Sequence, residues 1–304
     1  MSHTHTHTQG SYNRAFSIGV LLNSGFVIVE ATVGIMFGSL ALLADAAHNM
    51  SDVLALLLAW GASYLATLRP TNRRTYGWRS SSILAALFNA VLLMVVLGGI
   101  AWEAVRRLQI PAPVPGMAVI ITALIGFLIN MGTALLFFSG RTKDLNIKGA
   151  FLHMTADAGV SAGVILAGFV ILFTGALWID PVVSLVITAV ILIGTWGLLK
   201  DSLNLALHAV PEGIDPAEVR DYLLNLPGII AVHDLHIWAM STTEVALTAH
   251  LVKPDHEGDD DLITLASREL HDLYGIHHTT LQWERTEDIR SCCSGSCEDE
   301  EPCP

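Results

Sequence analysis

An all-α membrane bundle of six transmembrane helices, followed by a small α+β domain, is the fold class this chain predicts, and three observations predict it. The 304 residues are 52% hydrophobic and 14% charged, with a mean hydropathy of +0.54, too apolar for an ordinary soluble protein of this length. Apolar runs of about 20 residues, enough to cross the hydrocarbon core of a bilayer, recur before Leu207. After Leu207 the pattern changes to the short alternating and amphipathic segments of a globular domain.

The spans are expected near residues 16–37, 39–65, 83–105, 117–138, 150–173 and 182–203. Arg14, Arg69, Arg73, Arg74, Arg79, Arg141, Lys143, Lys148 and Lys200 fall in loops on one side, against Arg106 and Arg107 on the other. Basic loops stay in the cytoplasm, so both termini are expected there. The segment before the first span, MSHTHTHTQGSYNR, is polar, and no cleaved leader is expected because the first apolar run is long enough to span.

From Pro211 the pattern reads helix, strand, strand, helix, strand. Asp215, Pro216 and Glu218 supply an N-cap, a first-turn proline and a capping-box acid ahead of EVRDYLLNL. The strands IIAVHDLHIWAM and TEVALTAHLV follow, then the helix DDLITLASRELHDLY closed by Gly275, and the strand HHTTLQWE. An α-β-β-α-β unit of this size fits a ferredoxin-like domain. The expected organisation is a His-containing N-terminal tail at 1–13, a six-helix membrane domain at 14–207, the ferredoxin-like domain at 208–288 and a Cys- and acid-rich tail at 289–304.

The net charge of −12 arises mostly late in the chain, through Asp259 to Asp261, Glu284, Glu287, Asp288 and Glu298 to Glu301. That excludes a nucleic-acid partner and suits a cation. The four cysteines, Cys292, Cys293, Cys297 and Cys303, sit together in RSCCSGSCEDEEPCP. Reduced cytoplasmic thiols bind metal or nothing, rather than forming a disulfide framework. The HTHTHT run has the same two readings.

The chemistry lies in two His-x-x-x-Asp pairs, His48 with Asp52 and His153 with Asp157, each inside an apolar segment. On a helix, residues four apart share one face, so each pair presents an imidazole nitrogen and a carboxylate oxygen to one point. Two such helices facing each other make a four-donor site. Two nitrogens and two oxygens suit zinc, whereas calcium and magnesium take more oxygens. Ionisable groups inside membrane spans are costly, so function is their default explanation. The bland alternative is a set of interhelical hydrogen bonds. Asp45, three residues before His48, and Asn49, beside it, are candidates to hydrogen-bond a ligating imidazole and fix its tautomer. Asn23, Asn89 and Asn130 are expected to bond between helices, and Glu30 to line a water-filled route. Ala46, Ala47, Gly159, Ser161, Ala162 and Gly163 are expected to let helices approach closely beside the ligands.

In GSLALLADAAHNMSD, RRTYGWRSSSILAALFNA, LNIKGAFLHMTADAGVS and VHDLHIWAMS, the chain resembles the cation diffusion facilitator family over nearly its whole length. The resemblance implies a non-enzymatic, proton-coupled exporter of divalent cations, a homodimer of six-helix protomers that passes several times through the inner cell membrane. Each protomer would carry a cytoplasmic ferredoxin-like domain. It implies that His48, Asp52, His153 and Asp157 form the transport site, with Zn2+ as the substrate. His233, His250 and Glu284 are by analogy a cytoplasmic regulatory site for the same ion. Members that prefer manganese or iron carry Asp in place of the first histidine, and this chain does not. The short loop SGRTKDLNIKG matches the bacterial form.

Histidine supplies a pH dependence, because protonation removes the lone pair that binds metal. Broader specificity, for Cd2+, Co2+ or Ni2+, stays open. A membrane metal sensor without transport is the competing class. An intramembrane metalloprotease is disfavoured because His-Glu-x-x-His is absent. In the soluble domain, opposite strand parity is expected to put His233 and His236 on different faces.

Overall fold

The computed structural model describes residues 9–138, 145–255 and 259–285. The HTHTHT run, Arg141, Lys143 and the cysteine tail lie outside them. Six helices come first: α1 (Gln9–Phe37), α2 (Leu40–Ala66), α3 (Ser81–Gln109), α4 (Gly116–Phe137), α5 (Leu145–Thr174) and α6 (Ile179–Ala206). Five of them, α2 to α6, hold stretches long and apolar enough to cross a membrane, and α1 adds the shorter apolar run Leu21–Phe37. The chain divides into two compact units, Met1–Leu58 with Phe88–Leu199, and Ala59–Leu87 with Lys200–Pro304.

In the first unit the helices bury Leu42, Leu97, Val119 and Val164 against one another. They leave Ile28, Leu166, Phe173 and Ile193 exposed. An apolar exterior over helices whose backbone groups are satisfied internally is what lipid requires. Gly38 adopts φ +67°, a left-handed turn that glycine takes without steric cost and that ends α1. Its carbonyl oxygen accepts from Arg107, whose Nε also donates to Glu103 Oε1 at 3.0 Å.

The start of α2 is capped by a residue far away in sequence. Asp180, in the first turn of α6, accepts from Ser39 Oγ (2.6 Å), Leu40 N (2.8 Å) and Ala41 N (3.4 Å). A helix N-terminus leaves its first N–H groups unbonded and carries partial positive charge. A buried carboxylate answers both needs. Proline at the next position, Pro181, suits the opening of α6.

Of the small residues beside the His-x-x-x-Asp pairs, Ala46 and Ser161 are buried but the two glycines are not at a close approach. A Cβ added at Gly159 or Gly163 would meet nothing within 4 Å, whereas one at Gly116 would lie 2.7 Å from Gly168 O. Glycines beside the ligands therefore leave space, and α4 meets α5 through Gly116 and Gly168. Because the obstruction at Gly116 is backbone, Gly116→Ala should cost about 1–3 kcal/mol. It should lower the melting temperature of the purified protein; an unchanged melting temperature would show that this contact is loose.

In the second unit, α7 (Pro216–Leu224), β1 (Ala231–Ala239), β2 (Val245–Val252), α8 (Asp259–Tyr274) and β3 (Ile276–Glu284) follow in the expected order. Asp215 caps α7, accepting from Ala217 N at 2.8 Å. Three aspartates open α8, where they favour the helix dipole. The sheet has the order β1-β2-β3, with β1 antiparallel to β2 and β3 parallel to β2. A parallel pair needs a crossover, and α8 provides it. Val219, Leu223, Leu247, Leu251 and Leu270 fill the space between helices and sheet. Arg285, and after it Lys253, bond the Asp259 carboxyl and hold it below the usual carboxylate range. In the same unit Arg79 Nη1 pairs with Glu244 Oε2 at 2.6 Å.

Candidate metal centres

α2 and α5 place their two His-x-x-x-Asp pairs face to face. His48 Nε2 lies 3.8 Å from Asp52 Oδ2 on its own helix and 3.5 Å from Asp157 Oδ1 on the other. His153 Nε2 lies 3.6 Å from Asp157 Oδ2 and 3.2 Å from Asp52 Oδ2. The two imidazoles meet edge to face, with centroids 5.9 Å apart. A tetrahedral ion with bonds near 2.05 Å holds its ligands about 3.3 Å apart. The four nitrogen–oxygen separations lie near that edge length, with His48 and His153 reaching different oxygens of Asp157. One ligand atom each from His48, His153 and Asp157 lies within 4.8 Å of the others, and Asp52 stands outside that set.

The cluster is graded in exposure from one end to the other. Side-chain exposure falls from 42% at His153 and 32% at Asp52 to 23% at His48 and 3% at Asp157. The open end therefore faces the C-terminal half of α2 and the N-terminal half of α5.

Neither Asp45 nor Asn49 hydrogen-bonds a ligating imidazole among the described residues. Asn49 Nδ2 donates to Glu30 Oε2 at 3.4 Å, and Asp45 Oδ2 accepts from Ser161 Oγ at 3.3 Å. His48 Nδ1 is buried without a hydrogen-bond partner. One residue forward from His48, rotation about α2 turns Asn49 toward Glu30 of α1. Asp45, on the same face three residues back and about 4.5 Å along the axis, instead meets Ser161, one turn beyond Asp157 of α5. Glu30 has no exposed surface. Asn89 does bond between helices, donating to Ser51 Oγ at 3.0 Å. Asn130 and Asn23 Oδ1 have no hydrogen-bond partner in the described structure.

A second cluster stands on the sheet. Glu284 at the end of β3 reaches His233 Nε2 through Oε2 (2.8 Å) and His250 Nδ1 through Oε1 (2.9 Å). The two rings are 5.2 Å apart, and the three side chains are among the half-buried residues at 15–19% exposure. Their nitrogen–oxygen spacings are those of direct hydrogen bonds, so an ion entering between them must spread the donors by about half an ångström.

The parity expectation for His236 fails here. His233 pairs with His250, and His236 pairs with Thr248, two residues on along β2, so a β-bulge lies between them. Asp234 sits in the bulge with φ +50°. The extra residue shifts the alternation and returns His236 to the face of His233. Asp234 then joins the cluster, 2.9 Å from His236 Nε2 and 3.6 Å from His250 Nε2. Sequence reasoning missed Asp234 because a bulge has no period-two signature; the dipeptide His233–Asp234, with an aspartate inside a strand pattern, was the available hint.

Apolar helices long enough to cross a membrane around one nitrogen–oxygen cluster, together with a second cluster on a mixed sheet, are the features of a membrane protein with two candidate metal sites. Residues 17–205 match the family model described as the cation efflux transmembrane domain, and residues 211–286 match the cation efflux protein cytoplasmic domain. The chain is 38% identical to the "Cation efflux system protein CzcD" of Alcaligenes sp. (strain CT14), over 93% of this chain and 89% of that protein. It is 37% identical to "Zinc transporter ZitB" of Escherichia coli (strain K12), over 93% of each. It is 33% identical to the "Cadmium, cobalt and zinc/H(+)-K(+) antiporter" of Bacillus subtilis (strain 168), over 92% and 91%. The chain belongs to the cation efflux family, the cation diffusion facilitators, which are transporters and not enzymes.

Proposed function

We propose that this protein is a zinc/proton antiporter that moves Zn2+ out of the cytoplasm by alternating access, with His48, Asp52, His153 and Asp157 as its transport site. The observation that carries the reading is the convergence of those side chains, each histidine Nε2 lying 3.2–3.8 Å from one oxygen of each aspartate. The names of two relatives, a zinc transporter and a cadmium, cobalt and zinc/H(+)-K(+) antiporter, support it.

The charges balance on this reading. Two neutral imidazoles and two carboxylates carry a double negative charge, which one Zn2+ cancels and which two protons on the imidazoles cancel equally. Protons arriving from outside occupy the nitrogens and expel the metal. The protomer has six spans, with α1 as the first, and both termini are cytoplasmic in the inner membrane. The open end of the cluster, at His153 and Asp52, then faces the cytoplasm, the side from which metal is loaded. The proposed organisation is an N-terminal tail at 1–13, a membrane domain at 14–207, a ferredoxin-like domain at 208–288 that pairs in a homodimer, and a tail at 289–304. His233, His250 and Glu284 bind cytoplasmic Zn2+ and set when transport runs. Cd2+, Co2+ and Ni2+ are alternative substrates for the same donor set.

The test is transport in vesicles carrying the purified protein. A proton gradient should drive 65Zn uptake, and Asp157→Ala should reduce it to the level of empty vesicles. Intact flux in that variant would overturn the site; no proton-driven flux in the wild type would overturn antiport.

A further inference from the structure

Two more carboxyls are buried one turn from the transport site, and the exchange described above does not use them. Glu30 of α1 and Asp45 of α2 have no exposed surface. Each holds one neighbouring donor, Asn49 Nδ2 on Glu30 Oε2 and Ser161 Oγ on Asp45 Oδ2. The other oxygen of each, Glu30 Oε1 and Asp45 Oδ1, is buried without a donor. The two carboxyls are within hydrogen-bonding reach of each other.

Among the described residues no Lys or Arg faces either carboxyl, and His48 is the ionisable nitrogen that faces Asp45. The ionisable groups facing Glu30 are Asp45 from α2 and Asp157 from α5. α4, which also packs on α1, has no ionisable residue, and α2 has no Lys or Arg. Adjacent carboxylates in an apolar interior cannot both be ionised, and the usual resolution is one proton between them. That proton is also the donor that both orphaned oxygens lack. A metal ion is disfavoured here. Among the described residues, three ligand-bearing side chains converge within 4.8 Å at the two clusters already described, and Glu30 with Asp45 belongs to neither.

Position gives the pair a role. Asp45 precedes His48 by three residues, about 4.5 Å along the helix, and Ser161 follows Asp157 by one turn. The pair therefore lies beyond the buried end of the cluster, opposite the open end at His153 and Asp52. We propose that Glu30, sharing a proton with Asp45, is a proton-binding station that supplies the transport site from the end opposite metal entry. In each cycle a proton from outer water adds to the Glu30 carboxylate, and the shared proton passes through Asp45 to the ligand cluster as the metal leaves. Glu30 is then ionised again and able to accept the next proton. This rests on the proposed exchange of metal for protons.

The experiment separates proton delivery from metal handling, using the full chain in vesicles. Glu30→Gln should bind Zn2+ within about twofold of wild type and keep zinc-for-zinc exchange, measured with 65Zn on one side and unlabelled Zn2+ on the other. Proton-driven 65Zn uptake should fall at least tenfold. Equal loss of both modes, or loss of neither, overturns the station. Should Glu30→Gln fail to fold, the wild type decides: its infrared spectrum must show the C=O band of a buried protonated carboxyl, shifting in D2O, and absence of the band overturns the proposal. A wild type that exchanges zinc for zinc but never zinc for protons refutes antiport itself, a result distinct from either failure above.

Discussion

A His48→Asp variant will bind Zn2+ on the order of 100-fold more weakly than wild type while holding Mn2+ about as well as before. The expectation follows from donor chemistry. His48 Nε2 is one of two nitrogens in the cluster, poised 3.5 Å from Asp157 and 3.8 Å from Asp52. Replacing it leaves three carboxylates and one imidazole, a set that favours harder ions and adds a negative charge that only a further proton or cation cancels. The aspartate chain is also shorter, so the tetrahedral spacing is lost. Competition titration of the purified protein against a chelator of known affinity measures both ions. Unchanged zinc affinity would remove His48 from the ligand set.

Asp180→Ala is expected to destabilise the protein by about 2–4 kcal/mol. The carboxylate is 1% exposed and satisfies Ser39 Oγ and the N–H groups of Leu40 and Ala41. Alanine leaves three buried donors and the positive end of α2 without a partner. Asp180→Asn keeps an acceptor but not the charge, and should fall between the two. Thermal unfolding in detergent reads the order wild type, Asn, Ala; an alanine variant that melts with the wild type would show that water replaces the carboxylate.

What the sequence made legible was whatever leaves a periodic or spaced signal. The apolar runs marked the helices, Asp215–Pro216 marked the start of α7, and two His-x-x-x-Asp pairs marked four side chains that the fold brings together. What it hid depends on geometry between elements. Asp180 looks like a helix-start residue of α6, and nothing local says that its oxygens serve α2. The bulge at Asp234 breaks the alternation on which any face assignment for His236 rests. Glycines near the ligands drew attention by proximity in sequence, yet the tight crossing uses Gly116 and Gly168, which are 52 residues apart in the chain. Asp45 and Asn49 are expected to bond the imidazole of His48, and in the described structure they bond Ser161 and Glu30 instead.

The Asp180 anchor also sets the kind of movement open to the ligands. With Gly38 and Ser39 as the entire connection from α1, and three hydrogen bonds to α6, the start of α2 is a fulcrum. His48 stands eight residues beyond Leu40, about 12 Å along the axis, so a tilt of about 10° swings it by about 2 Å. That is the length of a zinc–ligand bond. A small angular change at the start of one helix would therefore be enough leverage to assemble or dismantle the proposed coordination sphere, without sliding any helix along its neighbour.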